Sequence, residues 1–312
     1  MVMSPIFSRA IPGGPRIFQD MAQHPRNVYF VDSSHAAATD SVSSGRAPDR
    51  PFATLAYVMT NAASLTPALA AGDVIYIAPT HAETIAAAGG IACATAGVKI
   101  VGLGWRSSRP TFTFSATTST WTITAAGVYI QNIRVTSGVA ELVKMFSVSA
   151  ADVTLDAVDF VDAGATFTTI QFLLTTAAAD GIRVINCDHW KGTAAAATEV
   201  WIELVGADRA TIENNRLRLT CRNNAGVRTL AATGTACLGL IVNNNIFDQR
   251  GGTTQDYVVN MVAGTTGIYA NNRSFGDVGT LAGSIELASM AASESYQATT
   301  VNKSGILDPV VA

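Results

Sequence analysis

Residues 127–135, GVYIQNIRV, decide the fold because six other segments share their pattern: 97–105 (GVKIVGLGW), 152–160 (DVTLDAVDF), 181–189 (GIRVINCDH), 209–217 (RATIENNRL), 239–247 (GLIVNNNIF) and 267–275 (GIYANNRSF). In chain order the starts are separated by 30, 25, 29, 28, 30 and 28 residues. A recurrence in this range marks a solenoid, a propeller or an array.

Reading down the aligned columns separates these. Position 2 holds Val98, Val128, Val153, Ile182, Ala210, Leu240 and Ile268; position 4 holds Ile100, Ile130, Leu155, Val184, Ile212, Val242 and Ala270. Between them stand mostly polar or long side chains: Lys99, Tyr129, Thr154, Arg183, Thr211, Ile241 and Tyr269. Apolar-polar-apolar alternation is the pattern of a half-buried strand, whose successive side chains leave opposite faces.

Position 6 holds Gly102, Asn132, Ala157, Asn186, Asn214, Asn244 and Asn272. Asn and Gly tolerate the left-handed conformation of a tight bend, and stacked amides can bond to the coil above and below. The five asparagines at 132, 186, 214, 244 and 272 are therefore expected to form one continuous file. Position 9 returns to the interior with Trp105, Val135, Phe160, His189, Leu217, Phe247 and Phe275.

Apolar runs beginning at Lys144, Ile170, Glu199 and Asp256 supply a third strand to each period. Three strands per repeat are too few for a propeller blade, and no fixed leucine framework is present. The sequence predicts an all-β chain folded as a right-handed, single-stranded parallel β-helix of about seven or more coils.

Outside the repeat, residues 1–27 read as a Pro/Gly-rich extended arm. Residues 28–96 read as an N-terminal capping region with the first strands, 97–283 as the coils, and 284–312 as a C-terminal cap or tail without an eighth repeat. Within the cap, 51–65 reads as a short helix with Phe52, Leu55, Val58, Met59, Ala62 and Leu65 on one face and Thr54 as its cap. A solenoid needs such lids over its terminal coils.

Composition narrows the partners. Charged residues make up only 14% of the 312, against about 25% in ordinary soluble domains, which points to an exterior partly covered by other subunits. A net charge of −3 argues against nucleic acid. No apolar run reaches the ~18 residues of a membrane span, and no export signal is read at the N-terminus. Cys93, Cys187, Cys221 and Cys237 lack metal-ligand spacing and read as buried thiols.

The segments Val28-YFVDSS, Pro51-FATLAYV, Gly72-DVIYIAPTHAETI and Gly97-VKIVGLGWRSSRPTF resemble phage-encoded right-handed β-helix proteins, whose architecture is similar to that of the pectate-lyase-like superfamily. The chain departs from that group's usual glycine before the histidine, with Thr80 preceding His81. The resemblance implies a virion protein, often a homotrimer. The expected role is non-enzymatic: a head decoration or cement protein on the major capsid protein, or an accessory spike. It would be found in the virion, assembled in the host cytoplasm, without cofactor. The competing reading is a tailspike-type protein that binds or cleaves a host surface glycan. A surface adhesin is a weaker third.

For the competing reading the best catalytic candidates are Asp159 and Asp188. They share position 8 on successive coils, at a spacing that suits a retaining carboxylate pair. Arg134 and Arg216 flank them, so the plainer reading is a charge-compensated surface ladder. His81 and Glu83 are too few for a metal site, and His189 reads as a hydrogen-bonded core residue. Trp201, between Glu199 and Glu203, is expected to face outward as an interface anchor or a sugar platform.

Overall fold

The computed structural model describes residues 26–162, 168–190, 200–220, 228–250, 259–276 and 285–299. Their strands build three parallel sheets of ten, eight and nine strands, which the chain visits in rotation once its first two strands have paired in the ten-stranded sheet. The ten-stranded sheet runs from Val28–Val31 to Ser289–Ser293, the nine-stranded sheet from Ala82–Ile85 to Tyr296–Thr299, and the eight-stranded sheet from Ile91–Cys93 to Ile285–Glu286. Each strand pairs only with the equivalent strands one coil earlier and one coil later, as Ile130 does with Ile100 and Leu155. This is a right-handed parallel β-helix. Crossover connections between parallel strands of one sheet take that hand almost without exception.

The interior follows the alternation. Val128, Val153, Ile182, Leu240, Ile130, Leu155, Val184 and Ile212 are all fully enclosed. An aromatic column runs through the N-terminal half: Phe112 meets Trp121 at 5.1 Å, Trp121 meets Phe146 at 5.5 Å, and Phe146 meets Phe172 at 5.6 Å. Cys93, Cys187 and Cys237 are buried free thiols. Desolvation pushes the first two up to about 12, and the Cys93 sulfur accepts the Trp121 indole N–H. Cys221, like residues 1–25 of the expected arm, lies outside the described residues.

The stack is longer than the repeat announces. Strands at 28–31, 74–77, 82–85 and 91–93 already belong to the three sheets. At the other end Ser289–Ser293 pairs with Thr266–Ala270, and Tyr296–Thr299 with Arg273–Gly276. A coil therefore follows the one beginning near 266, where none was expected. Small residues replace its aliphatic ones, and Glu294 takes the left-handed bend at φ 46° in place of Asn.

The capping helix is shorter than its apolar pattern, spanning Leu55–Thr60. Residues before it are held extended: the Phe52 N–H donates to the Phe30 carbonyl, and the Phe52 carbonyl accepts from the Asp32 N–H. Thr54 caps the helix by accepting the Tyr57 N–H. At its far end the Asn61 amide donates to the Tyr57 carbonyl. Leu55, Val58 and Met59 face the core, and the helix packs over Ile91–Cys93 at the open end of the eight-stranded sheet. Thr80, standing where glycine was expected, has φ 66°. That conformation strains a β-branched residue and explains why glycine suits the position.

Candidate functional site

The outward face of the nine-stranded sheet brings the sequence-predicted acids together. Asp159 pairs in register with Arg134 on one side and Asp188 on the other, and Asp188 pairs with Arg216. The expected compensation is uneven. Arg134 clamps Asp159, its Nε and Nη2 donating to Oδ2 at 2.9 and 2.7 Å, while Arg109 Nη1 stands 3.9 Å away. Asp188 has no ion pair among the described residues, although Arg216 is its register neighbour. Burial, then the negative charge of Asp159, holds the Asp188 carboxyl above the usual carboxylate range. Arg216 and Arg109 only partly offset this.

The N-terminal edge of this ladder meets a loop that the column reading misplaced. Trp105 was expected inside at position 9, but it is 56% exposed. The interior position of that coil belongs to Phe112, which pairs with Val135. The first coil turns between the two sheets over residues 78–81 and every later coil over two residues, whereas this coil inserts residues 103–110. The insertion is pinned on all sides. Asn132 Nδ2 donates to the Gly102 and Gly104 carbonyls at 2.7 and 3.0 Å. The Thr80 N–H donates to the Ser108 carbonyl, and Arg134 Nη2 to the Arg106 carbonyl at 3.3 Å. The Ser108 hydroxyl closes the turn on both the N–H and the carbonyl of Trp105, each at 2.8 Å. A Cβ at Gly104 would stand 2.4 Å from the Ser108 carbonyl oxygen, so only glycine fits there. The signal in the sequence was Gly102-Leu-Gly-Trp105: glycine replaces the bend asparagine because the chain leaves the coil there.

Trp201 is the opposite correction. It is 3% exposed, with its ring 4.4 Å from Phe172 and 5.5 Å from Phe160. Strict alternation predicts that it faces outward, since Ile202 and Leu204 face in. At this corner, however, the aromatic column of the interior extends between two sheets and accepts the indole as well. An interface or sugar-stacking role for Trp201 is excluded by that burial. Its flank Glu199 lies outside the described residues.

The buried pair His81 and Glu83 is structural. His81 Nδ1 accepts the Ser33 N–H at 2.9 Å, so the ring proton sits on Nε2 and points to Glu83 Oε2 at 3.2 Å. Glu83 in turn accepts the Leu55 and Ala56 N–H groups at 2.7 and 2.9 Å, completing the start of the capping helix. Among the described residues no group of three or more His, Cys, Asp or Glu is placed to hold a metal ion.

The expected asparagine file resolves into two. Asn132, Asn186, Asn214 and Asn244 occupy the left-handed bend with φ between 53° and 56°, and Asn271, not Asn272, continues them at 54°. The seventh repeat is displaced by one residue because Gly267 takes the place of Leu240 in the register, putting Tyr269 inside and leaving Ile268 52% exposed. Asn272 falls in the adjacent inward column with Asn215 and Asn245, a buried ladder that the column reading did not isolate. Outside the bend, Glu213, Asn214, Asn244, Asn271 and Glu294 line an open polar trough of about 420 Å³. Much of its amide capacity is already spent, with Asn244 donating to Asn214, Asn271 to Asn243, and Asn243 to Glu213.

No family model and no curated protein matches the chain. Among solved structures, a rhamnogalacturonan lyase is similar along 90% of this chain and 89% of its own, at 12% identity and a TM-score of 0.44. The fold stands on the strand register rather than on that likeness.

Proposed function

We propose that the chain is a non-enzymatic structural protein of a tailed-phage virion, an exterior head decoration or cement protein, or an accessory spike. In this reading it is a homotrimer seated against the major capsid protein. The observation that carries the reading is the outward flank of the ten-stranded sheet. Ile241 and Ile268 pair in register on adjacent coils and are 43% and 52% exposed, with Leu238 nearby at 51%. An exposed aliphatic pair on a hydrogen-bonded sheet flank suits lateral packing between copies. The rigid interior behind it keeps such a flank from deforming under load.

Sedimentation of the full chain at micromolar concentration tests the assembly. A trimer that Ile241→Glu and Ile268→Glu together dissociate supports it, and a stable wild-type monomer rejects it. Imaging virions that carry and lack the protein tests the location: density missing from the exterior of deficient particles is the expected result. The alternative, a tailspike-type carbohydrate-binding protein or glycan lyase or hydrolase, draws on Asp188, which makes no ion pair among the described residues, beside the clamped Asp159. Depolymerisation of capsule or lipopolysaccharide that Asp159→Asn and Asp188→Asn abolish would replace the first reading with the second.

A further inference from the structure

We propose that residues 1–25 dock on the outward face of their own chain's first coils, with Ile17, Phe18 and Met21 seated on an apolar patch built by Phe30, Tyr76 and Val101. The contact is independent of the virion reading and lies toward the opposite end of the ten-stranded sheet from Ile241 and Ile268.

Register builds the patch. Phe30 pairs with Tyr76 and Tyr76 with Val101, one outward file over three coils, with Val28 and Val74 paired beside it. The Phe30 and Tyr76 rings stand 6.1 Å apart. Together with Leu103 these side chains form an apolar cluster separate from the interior. Further along the stack the same file continues with Gln131 and Asp156, so the apolar surface is confined to the coils nearest the start of the chain. Val74, Tyr76 and Val101 are only 5%, 6% and 5% exposed, whereas Ile241 and Ile268, outward on the same sheet, are 43% and 52% exposed. Outward side chains fall so low only under a cover. Val28, Phe30 and Leu103 belong to the same sheet surface, so they flank the patch rather than roof it.

The point of entry fixes the occupant. The Arg26 N–H donates to the Gly72 carbonyl at 3.4 Å, and Asn27 Nδ2 to Asp73 Oδ1 at 3.0 Å, so the chain joins the stack beside Val74. The edge of the sheet is closed to residues 1–25. There the Phe30 N–H donates to the Gly45 carbonyl, the Phe30 carbonyl accepts the Phe52 N–H, and the Val28 carbonyl accepts from Arg46 Nη1. Only the face is left. Residues 1–25 carry Ile6, Phe7, Ile11, Ile17, Phe18 and Met21, and Pro5, Pro12 and Pro15 keep the segment from joining a ladder as a regular strand. Phe18 precedes Arg26 by eight residues, an extended reach of ~26 Å against ~10 Å across three stacked coils. So short a tether holds the segment at an effective concentration of about 1 mM, above that of a second copy in micromolar solution.

Hydroxyl-radical footprinting of the full chain, read residue by residue by mass spectrometry, tests the contact. Ile17→Asp and Phe18→Asp together are expected to raise Tyr76 oxidation about sevenfold, the ratio of the 43% exposure of Ile241 to the 6% of Tyr76. The enclosed Tyr269 and the exposed Trp105 are expected to keep their wild-type rates. Val101→Asp, with residues 1–25 unchanged, is expected to speed tryptic cleavage after Arg16 severalfold. Dilution of the wild type by about a hundredfold is expected to leave Tyr76 protected, because an intramolecular contact does not depend on concentration. The proposal is overturned if the double variant leaves Tyr76 oxidation unchanged or if Val101→Asp leaves cleavage after Arg16 unchanged. It is equally overturned if dilution alone exposes Tyr76, which assigns the cover to a second copy.

Discussion

The two neighbouring files of asparagine look alike in sequence and do different work. In the outer file the backbone is the reason for the residue. Asn132, Asn186, Asn214, Asn244 and Asn271 all hold φ near 55°, and their amides reach whatever lies near: carbonyls for Asn132, the Asp156 carboxylate for Asn186, another amide for Asn244. In the inner file the side chain is the reason. Asn245 Oδ1 accepts from the backbone N–H and the amide of Asn215, while its own Nδ2 donates to the Ile212 carbonyl and to Asn272 Oδ1. Four hydrogen bonds are made at 1% exposure. The same inward column holds Ile133, Val158 and Cys187 in earlier coils. The N-terminal half thus closes this corner with apolar packing and the C-terminal half with a polar file.

That difference predicts unequal losses. Asn245→Ala removes the centre of the inner file, leaves the buried Asn215 N–H without its acceptor and takes the amide donor from the Ile212 carbonyl. An unmet buried group costs ~1–3 kcal/mol, so the total loss is about 2–4 kcal/mol in urea unfolding. Asn244→Ala keeps the bend and pays chiefly for a left-handed alanine, ~1 kcal/mol. Equal losses at the two neighbours would break the distinction between backbone and side-chain roles.

Sequence periodicity exposed the outer file because one residue type recurs at one phase. It could not separate the inner file, since Asn214-Asn215, Asn243-Asn244-Asn245 and Asn271-Asn272 run together and a one-residue displacement at Gly267 moves Asn272 from one file to the other. The alternation that placed Val128 and Ile130 inside also erred at Trp105 and Trp201. Both stand where coils meet corners or insertions, and there burial depends on the three-dimensional path rather than on the period of a strand. The order of strands, the third strand of each coil, the Thr54 cap and the outward pairing of Asp159 with Asp188 were legible. The uneven compensation of that pair was not, because it depends on where each guanidinium reaches.

Ala157 offers a finer probe of the outer file. It holds φ 52° with no amide to contribute, so this bend depends on conformation alone. Glycine relieves the ~1–2 kcal/mol strain of a left-handed L-residue but increases the freedom of the unfolded chain by ~0.5–1 kcal/mol. Ala157→Gly is expected to gain about 0.5 kcal/mol in the same urea assay. A loss would show that the alanine methyl packs usefully and that the outer file is not purely conformational.

Stacking at one phase also has a cost, and Asp188 displays it. Amides one coil apart attract by donating and accepting in turn, whereas carboxylates one coil apart repel. Burial and the Asp159 charge raise the folded-state proton affinity of Asp188 above that of the unfolded chain, so the ionised folded form is penalised at neutral pH. Stability from this group rises as pH falls through the folded-state value and is complete below the usual aspartate value of 3.8. Asp188→Asn removes the penalty and is expected to raise Tm at pH 7, with the gap narrowing on acidification and closing below that value. The effect is the smallest of the four, because this carboxylate is only partly desolvated and solvent screens it. Asp159→Asn is expected to act with the opposite sign at pH 7, since it weakens the Arg134 clamp. Thermal melts of both variants from pH 3 to pH 8 decide the matter. If the two shift Tm in the same direction at pH 7, the ladder is evenly compensated after all and Asp188 carries no excess charge.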